Sequence, residues 1–131
     1  MKYLRITDQA FHDDIQGRQG IYFLHSLDEY GKPKPTQRLL GTDEEGILYI
    51  GTTKGRTLSE RLADFRKTVL KKSESHIAGR KYKQIPILMK NYPDSSLAFS
   101  FIECEDPPAR ESDAIREYIN RFGEKPPLNS M

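Results

Sequence analysis

Two short apolar runs, separated by a polar loop, are followed directly by an amphipathic helix. The runs are "GIYFLHSL" at residues 20–27 and "GILYIG" at residues 46–51, and their aromatic and β-branched residues are typical of strands. The segment between them is rich in Gly, Pro and charge, which predicts an exposed loop or an extended hairpin. After the second run, an apolar stripe at helical spacing is formed by Leu58, Leu62, Phe65 and Val69. This order predicts a strand, a short turn and a helix in succession.

The rest of the chain supplies a third strand and two further helices. "LAFSFIEC" at residues 97–104 alternates like a strand, and "KYLRI" near the N-terminus could form a short one. A helix follows "EDPP", with Asp106 as its cap and Gly123 at its end, and a shorter helix starts near Pro86. The N-terminal "TDQAFHDDI" predicts a capped helical turn. The predicted fold is a single α/β domain over residues 1–131, an α+β sandwich in which a three-stranded antiparallel sheet is flanked by about three helices.

Composition excludes several classes of protein. No apolar run approaches the ~20 residues of a membrane span, and the N-terminus lacks the apolar segment of a signal peptide, so we expect a cytoplasmic protein. The single cysteine, Cys104, excludes an internal disulfide and a Cys-rich zinc site, and we expect it to be buried or half-buried. The three histidines lack the spacing of a zinc site, and His25 is expected at the surface.

Positive charge is concentrated in one segment. Residues 66–83 contain seven Lys and Arg against one Glu, a net charge of +6 in a chain whose total is +2. Such a segment is consistent with a contact to a phosphate backbone, and equally with a solvated basic helix face.

Helical geometry distinguishes some charged residues from their neighbours. Arg61 follows Leu58 by three residues and therefore borders the apolar stripe, whereas Glu111 lies four residues before Ile115 and over the apolar face of its helix. Glu117 points to the opposite side. A carboxylate aimed at the core needs a partner or a cation. Structural explanations stay open: Glu111 could complement the helix dipole, Arg61 could extend over the core edge, or the two could form a salt bridge. Tyrosines on strands are also usually packing residues.

The order of these motifs resembles the GIY-YIG nuclease superfamily. "GIY" stands at residues 20–22 and "YIG" at residues 49–51; they are followed by "LSERLADF" with Arg61, "ESDAIREY" with Glu111, and "PPLN" with Asn129. The resemblance covers residues 20–129, within a domain core of 18–129. Relative to compact members, the segment around residues 26–45 is similar to an inserted loop or hairpin.

The resemblance implies an endonuclease that hydrolyses phosphodiester bonds with one divalent cation, Mg²⁺ or Mn²⁺. In that case Glu111 would bind the metal and Arg61 would donate to the phosphate. Tyr22 would be the better candidate for the general base, with Tyr49 beside it, although which tyrosine takes the proton stays open. The expected catalytic set also includes Lys54, as a cation that lowers the tyrosine pKa, and Asn129, as a brace or phosphate contact.

The implied partner is nucleic acid, DNA ahead of RNA, with a partner protein as a possible source of target specificity. The residues expected to grip the backbone lie in the basic segment: Arg66, Lys67, Lys71, Lys72, His76, Arg80, Lys81 and Lys83. The alternative is a nucleic-acid-binding module that keeps the fold without catalysis.

Overall fold

An antiparallel sheet of four strands forms the centre of this computed structural model, which describes residues 2–8, 17–71 and 75–129. The strands are β1 (Leu4–Arg5), β2 (Gly20–Ser26), β5 (Tyr49–Thr52) and β6 (Leu97–Glu103). They lie in the order β1-β6-β2-β5, so β5 is an edge strand. A separate two-stranded ladder joins β3 (Thr36–Arg38) to β4 (Gly41–Asp43). The segment between the first two apolar runs is therefore a hairpin.

Four α-helices lie in the described part of the chain. They are α1 (Leu58–Leu70), α2 (Ile77–Gln84), α3 (Pro86–Asn91) and α4 (Pro107–Phe122). A 3₁₀ turn at Asp94–Ser96 precedes β6, and a second one at Pro127–Asn129 lies at the end of the described residues. None of these helices is long and apolar enough to cross a membrane.

The helices cover the two faces of the sheet unequally. On one face, α1 and α2 pack on Tyr22, Leu24 and Phe99, together with much of the buried apolar surface. On the other face, the helix that packs among the described residues is α4, through Tyr118 and Phe122. A cavity of about 240 Å³ lies on this second face between α4 and the sheet. The sheet is thus the middle layer, and its two faces have different neighbours.

The mixed α/β class is confirmed, but the predicted sheet was one strand too small. The additional strand is β1, whose two residues pair with Phe99 and Ala98 of β6. This strand lies within "KYLRI", so the expectation of a short strand there is confirmed, although it was not counted in the predicted sheet. The predicted turn in "TDQAFHDDI" falls largely on residues 9–16, outside the described residues.

Helix α2 was not predicted from the sequence. Its eight residues, "IAGRKYKQ", include a glycine and four charged or amide side chains, so no apolar stripe is visible. The helix forms because Ala78, Gly79 and Tyr82 are buried against the core. At Gly79 an added Cβ would lie 2.8 Å from the Thr68 Cγ2 atom, so the missing side chain lets α2 approach α1 closely.

His25 is buried rather than exposed, with 2% of its surface accessible. It lies on the central strand β2, where both faces of the sheet are covered. Its Nδ1 lies 2.8 Å from the Glu45 carbonyl oxygen, which can only accept, so Nδ1–H is the donor. Nε2 then accepts from the Ser100 hydroxyl at 2.8 Å. Burial lowers the pKa of His25, which keeps the ring neutral. Cys104 is half-buried, as expected.

The β3–β4 hairpin is attached to α4. The Asp43 carboxylate accepts from the Tyr118 hydroxyl at 2.8 Å and from the Ile47 backbone N–H at 2.9 Å. At the hairpin tip, Arg38 forms an ion pair with Glu124 at 3.1 Å. These contacts hold the end of the hairpin in place just before β5 begins.

Candidate active site

The two motif tyrosines lie side by side on the face of the sheet that α1 and α2 cover. Tyr22 on β2 is paired with Gly51 on β5, and Tyr49 precedes Gly51 by two residues. Because side chains alternate along a strand, all three positions share one face. The ring centroids of the two tyrosines are 6.1 Å apart. Tyr22 has no exposed surface, whereas Tyr49 is half-buried.

The glycines of the two tripeptides are required by close packing. A Cβ at Gly51 would overlap the Cζ atom of Tyr22, because the tyrosine ring rests on the β5 backbone. A Cβ at Gly20 would overlap the Ile102 carbonyl oxygen. Each glycine therefore allows a close approach that a side chain would prevent.

We expect Gly51→Ala to destabilise the fold by about 1–3 kcal/mol, since overpacking forces neighbouring atoms to move. The free energy of unfolding in urea would measure this cost. The same substitution in a Tyr22→Leu background provides the control, because the shortened side chain removes the atoms that a new Cβ would meet. Equal costs in both backgrounds would show that the tyrosine ring is not the reason for glycine at position 51.

Arg61 is positioned by the capped start of α1. Thr57 caps the helix: its hydroxyl accepts the Glu60 backbone N–H at 3.3 Å, and the Glu60 carboxylate accepts the Thr57 N–H at 3.0 Å. This capping box sets the rotation of the helix. Leu58 and Leu62 consequently face the core, and Arg61 lies at its border with 21% of its side chain exposed.

Glu111 approaches Tyr22, Tyr49 and Arg61 from a helix on the other face of the sheet. It lies in the second turn of α4, a helix whose cap, Asp106, accepts the Ala109 N–H at 3.4 Å. The side chain is half-buried and Glu117 is exposed, as the helical spacing predicts. Helix α4 packs on the edge strand β5 through Ile50.

The side chains of Tyr22, Tyr49, Arg61 and Glu111 are close enough for their charges to shift the pKa of the two tyrosines and of the glutamate. Burial raises the pKa of Glu111, while the nearby charges of Lys54 and Arg61 lower it. Burial, followed by the Glu111 charge, raises the pKa of Tyr49, and Arg61 lowers it. Groups that are far apart in the sequence, Tyr22 and Glu111 among them, thus converge on one site.

Both tyrosines are neutral phenols at pH 7. Burial and then the proximity of Tyr49 raise the pKa of Tyr22 far above its usual value of 10, and the charge of Arg61, which faces the hydroxyl, lowers it in part. The cation beside the phenols is therefore Arg61. Lys54 was predicted to lower the tyrosine pKa, but its charge acts on Glu111. Its positive φ of 47° turns the chain between β5 and α1.

His76 is placed differently from the prediction. It was expected within the exposed basic segment as a phosphate contact, yet it has no exposed surface. It caps α2, and its Nε2 lies 2.9 Å from the Tyr22 hydroxyl oxygen. The contact joins residues 54 positions apart, and no local pattern in the sequence signals it. His76 is the site residue that sequence reasoning assigned to the wrong place.

Asn129 contacts backbone. Its Oδ1 accepts the Ile50 N–H at 2.8 Å, and its Nδ2 donates to the Ile50 carbonyl at 2.9 Å. The amide thus occupies the free edge of β5 in the way that another strand would. Of the two roles considered, a brace for the "YIG" strand is the one supported by these contacts.

The basic segment is divided between exposed and engaged side chains. Lys67, Lys71 and Arg80 are exposed. Lys81 donates to the Leu128 carbonyl at 3.2 Å and Lys83 to the Lys71 carbonyl at 3.1 Å, and both side chains, like that of Arg66, are partly buried. Lys72 lies outside the described residues. The exposed cations are those with the clearest access to a charged partner.

The donor set suits a single hard cation. Within residues 2–8, 17–71 and 75–129, no group of three or more His, Cys, Asp or Glu side chains is placed to hold a metal. Glu111 is the carboxylate among the clustered side chains described above. One carboxylate, completed by waters and substrate phosphate oxygens, is the coordination that Mg²⁺ tolerates well, and it does not suit structural zinc.

Comparison with known proteins does not identify a family. No protein-family model, no curated protein and no solved structure matches the chain. The resemblance to GIY-YIG nucleases therefore depends on the ordered motif residues themselves.

Proposed function

We propose that this protein is a divalent-metal-dependent endonuclease that hydrolyses phosphodiester bonds in nucleic acid, with DNA as the first substrate class to test. The observation that carries the proposal is the convergence of Tyr22, Tyr49, Arg61 and Glu111, which come from four separate elements and act on one another's charge. A tyrosine pair, one buried and one half-buried, beside an arginine and a half-buried carboxylate has the groups that phosphodiester hydrolysis requires.

Arg61 binds the scissile phosphate in this proposal. Its planar guanidinium donates two parallel hydrogen bonds to phosphate oxygens, and it stabilises the negative charge that grows in the transition state. The side chain is 21% exposed, lies 3.7 Å from the Asp64 carboxylate and donates toward the Tyr22 hydroxyl. It is therefore accessible to a substrate and retains donors for it.

Glu111 would hold the cation, Mg²⁺ or Mn²⁺. When bound, the cation would supply charge stabilisation for the phosphate and the departing oxygen. Burial raises the pKa of Glu111, so the site disfavours an unpaired carboxylate and favours a bound positive charge. Lys54 balances the same carboxylate from the turn before α1.

In this proposal Tyr22 first loses its phenolic proton to solvent, and the resulting phenolate then accepts the proton of the attacking water, with Tyr49 next to it. Tyr22 has no exposed surface, so its hydroxyl meets water only after a neighbour moves. Arg61 faces that hydroxyl, and a phosphate that draws the guanidinium outward would uncover it. The raised pKa of Tyr22 means that the base becomes competent only when cations are bound nearby. Asn129 supports the strand that carries Tyr49.

Cleavage assays test this proposal directly. Supercoiled plasmid, branched DNA and single-stranded RNA should be incubated with the protein in Mg²⁺, Mn²⁺ or EDTA. We expect metal-dependent nicking that EDTA abolishes. If the DNA migrates more slowly in a gel because protein is bound, but stays uncut in every metal, the protein would instead be the non-catalytic binding module. Cleavage that requires an added cell fraction would support a partner protein as the source of target specificity.

The exposed cations of the basic segment are expected to bind the backbone beyond the cleaved bond. A triple substitution of Lys67, Lys71 and Arg80 by alanine should weaken binding to all DNA sequences. It should also reduce the slope of log K against log salt by about 0.9 for each phosphate that the variant no longer neutralises, or up to about 2.7. Filter binding at several salt concentrations measures both effects.

The control removes the same amount of charge elsewhere, with Lys32, Lys90 and Arg116 replaced by alanine. These three side chains lie outside the basic segment and are accessible to solvent. If the control reduced the slope as much as the test variant did, binding would reflect net charge and not a defined basic surface.

A further inference from the structure

His76 occupies the space between the two tyrosines and the first helix. Its ring packs edge-on against Phe65 of α1, with centroids 5.2 Å apart, and against Tyr49, with centroids 5.7 Å apart. Its backbone N–H donates to the Thr68 hydroxyl at 3.1 Å. Since the side chain has no exposed surface, every polar atom of the ring needs a partner inside the protein.

The partners of Nδ1 determine the tautomer. Nδ1 lies 3.2 Å from the Ala78 backbone nitrogen and 3.5 Å from that of Gly79, and both of these N–H groups can only donate. Nδ1 must therefore be the unprotonated nitrogen, and Nε2 carries the proton of the neutral ring. Nε2–H consequently donates to the Tyr22 hydroxyl oxygen, 2.9 Å away.

The ring keeps this neutral form over the physiological range. Burial, and secondarily the charge of Arg61, lowers the pKa of His76 to about 3. The histidine therefore adds no positive charge at neutral pH, and its side chain has no exposed surface through which a substrate could reach it. It serves as a fixed neutral donor whose direction is set by the start of α2.

Two donors thus face one phenol oxygen. His76 approaches the Tyr22 hydroxyl from α2, and the Arg61 guanidinium, which can only donate, approaches it from α1. Hydrogen bonds donated to an oxygen stabilise its anionic form more than its neutral form. The other ionisable groups around this oxygen are Tyr49 from β5 and Glu111 from α4.

We propose that His76 is a positioning residue for Tyr22: its Nε2–H holds the hydroxyl oxygen in place and stabilises the phenolate, which is the form of Tyr22 that can accept a proton from the attacking water. This role rests on the proposed nuclease activity. It adds a residue that is buried, that belongs to a helix invisible in the sequence pattern, and that acts on the substrate only through Tyr22.

Two substitutions separate this role from helix capping. His76→Asn keeps an acceptor at the capping position, because asparagine is a favourable N-cap, but its side chain is too short to reach Tyr22. His76→Gln reaches further and can supply an N–H where Nε2–H lies. We expect His76→Asn to reduce kcat by about 10- to 100-fold with KM unchanged, because one hydrogen bond to a charged group is removed. His76→Gln should recover most of that activity.

A spectroscopic readout tests the hydrogen bond without reference to activity. In ¹⁵N NMR of the imidazole ring, His76 should show the Nε2–H tautomer with no titration between pH 5 and 9. Tyr22→Phe removes the acceptor and should speed the exchange of the Nε2 proton with water, while leaving the tautomer unchanged. The Nδ1–H tautomer in the wild-type protein would overturn the inference.

The outcomes distinguish this inference from the proposed function. If wild-type protein cleaves nothing in any metal, the nuclease proposal fails and the positioning role of His76 in that reaction fails with it. If wild-type protein cleaves and His76→Asn retains its kcat, the positioning role alone is wrong. If the Asn and Gln variants lose activity equally and in step with their melting temperatures, His76 has only a structural role.

Discussion

Glu111→Gln is expected to abolish metal-dependent cleavage, with a decrease on the order of 10³-fold in kcat. The substitution keeps the size and the polar character of the side chain and removes only its charge. The folded state should tolerate it, because burial already raises the pKa of Glu111 and so makes the charged form unfavourable there. The decrease should therefore come from metal binding and not from unfolding.

Thermal stability gives a second measure of the same event. If Glu111 binds the cation, Mg²⁺ should stabilise the wild-type protein by about 1.4 kcal/mol at ten times its Kd, since a ligand that binds only the folded state stabilises it. The Glu111→Gln variant should show no such increase. Glu117→Gln is the matched control, because Glu117 lies on the same helix and is exposed. A metal-induced increase that persists without the Glu111 carboxylate would place the cation elsewhere.

The second large effect is expected at Arg61. Arg61→Lys keeps the positive charge but removes the planar fork, and Arg61→Ala removes both; we expect kcat to fall about 10²- to 10³-fold in either variant. The alanine variant also removes the charge that lowers the pKa of Tyr22 and Tyr49, so its phenols should be harder to ionise than those of the wild type. Single-turnover cleavage at saturating metal would measure the decrease.

Arg56 supplies the control for Arg61. It lies in the turn before the same helix and contacts the same carboxylate, that of Asp64, and its side chain is 45% exposed. A surface ion pair of this kind contributes about 0–1 kcal/mol. Arg56→Ala should therefore leave kcat within a few-fold of the wild-type value. If it matched the effect of Arg61→Ala, that effect would reflect the start of α1 and not binding of phosphate.

Those parts of the site that depend on local periodicity could be predicted from the sequence. The apolar stripe of α1 placed Arg61 at the border of the core, and the stripe of α4 distinguished half-buried Glu111 from exposed Glu117. Both predictions need only the 3.6-residue repeat of a helix. The positions of the caps at Asp106 and Gly123 are confirmed for the same reason, since capping is a property of a few neighbouring residues.

Contacts between distant segments could not be predicted in this way. The placement of Lys54 beside Glu111 was missed, as was the burial of His76 under Tyr22. For Asn129 the sequence left two roles open, a brace and a phosphate contact, and did not predict its hydrogen bonds to Ile50. In each case the partner belongs to another element, and the distance depends on how the helices pack on the sheet.

The sequence by itself determined which residues are strands and helices in the recognisable segments, and which face of each helix turns inward, because chain geometry over a few residues sets these properties. Tertiary packing alone decided that a histidine from a helix with no apolar stripe donates to the buried tyrosine. Tertiary packing also decided that Glu111, from a helix on the opposite face of the sheet, lies near this tyrosine. The reason is physical: burial and pairing of a polar group depend on the groups that folding brings against it.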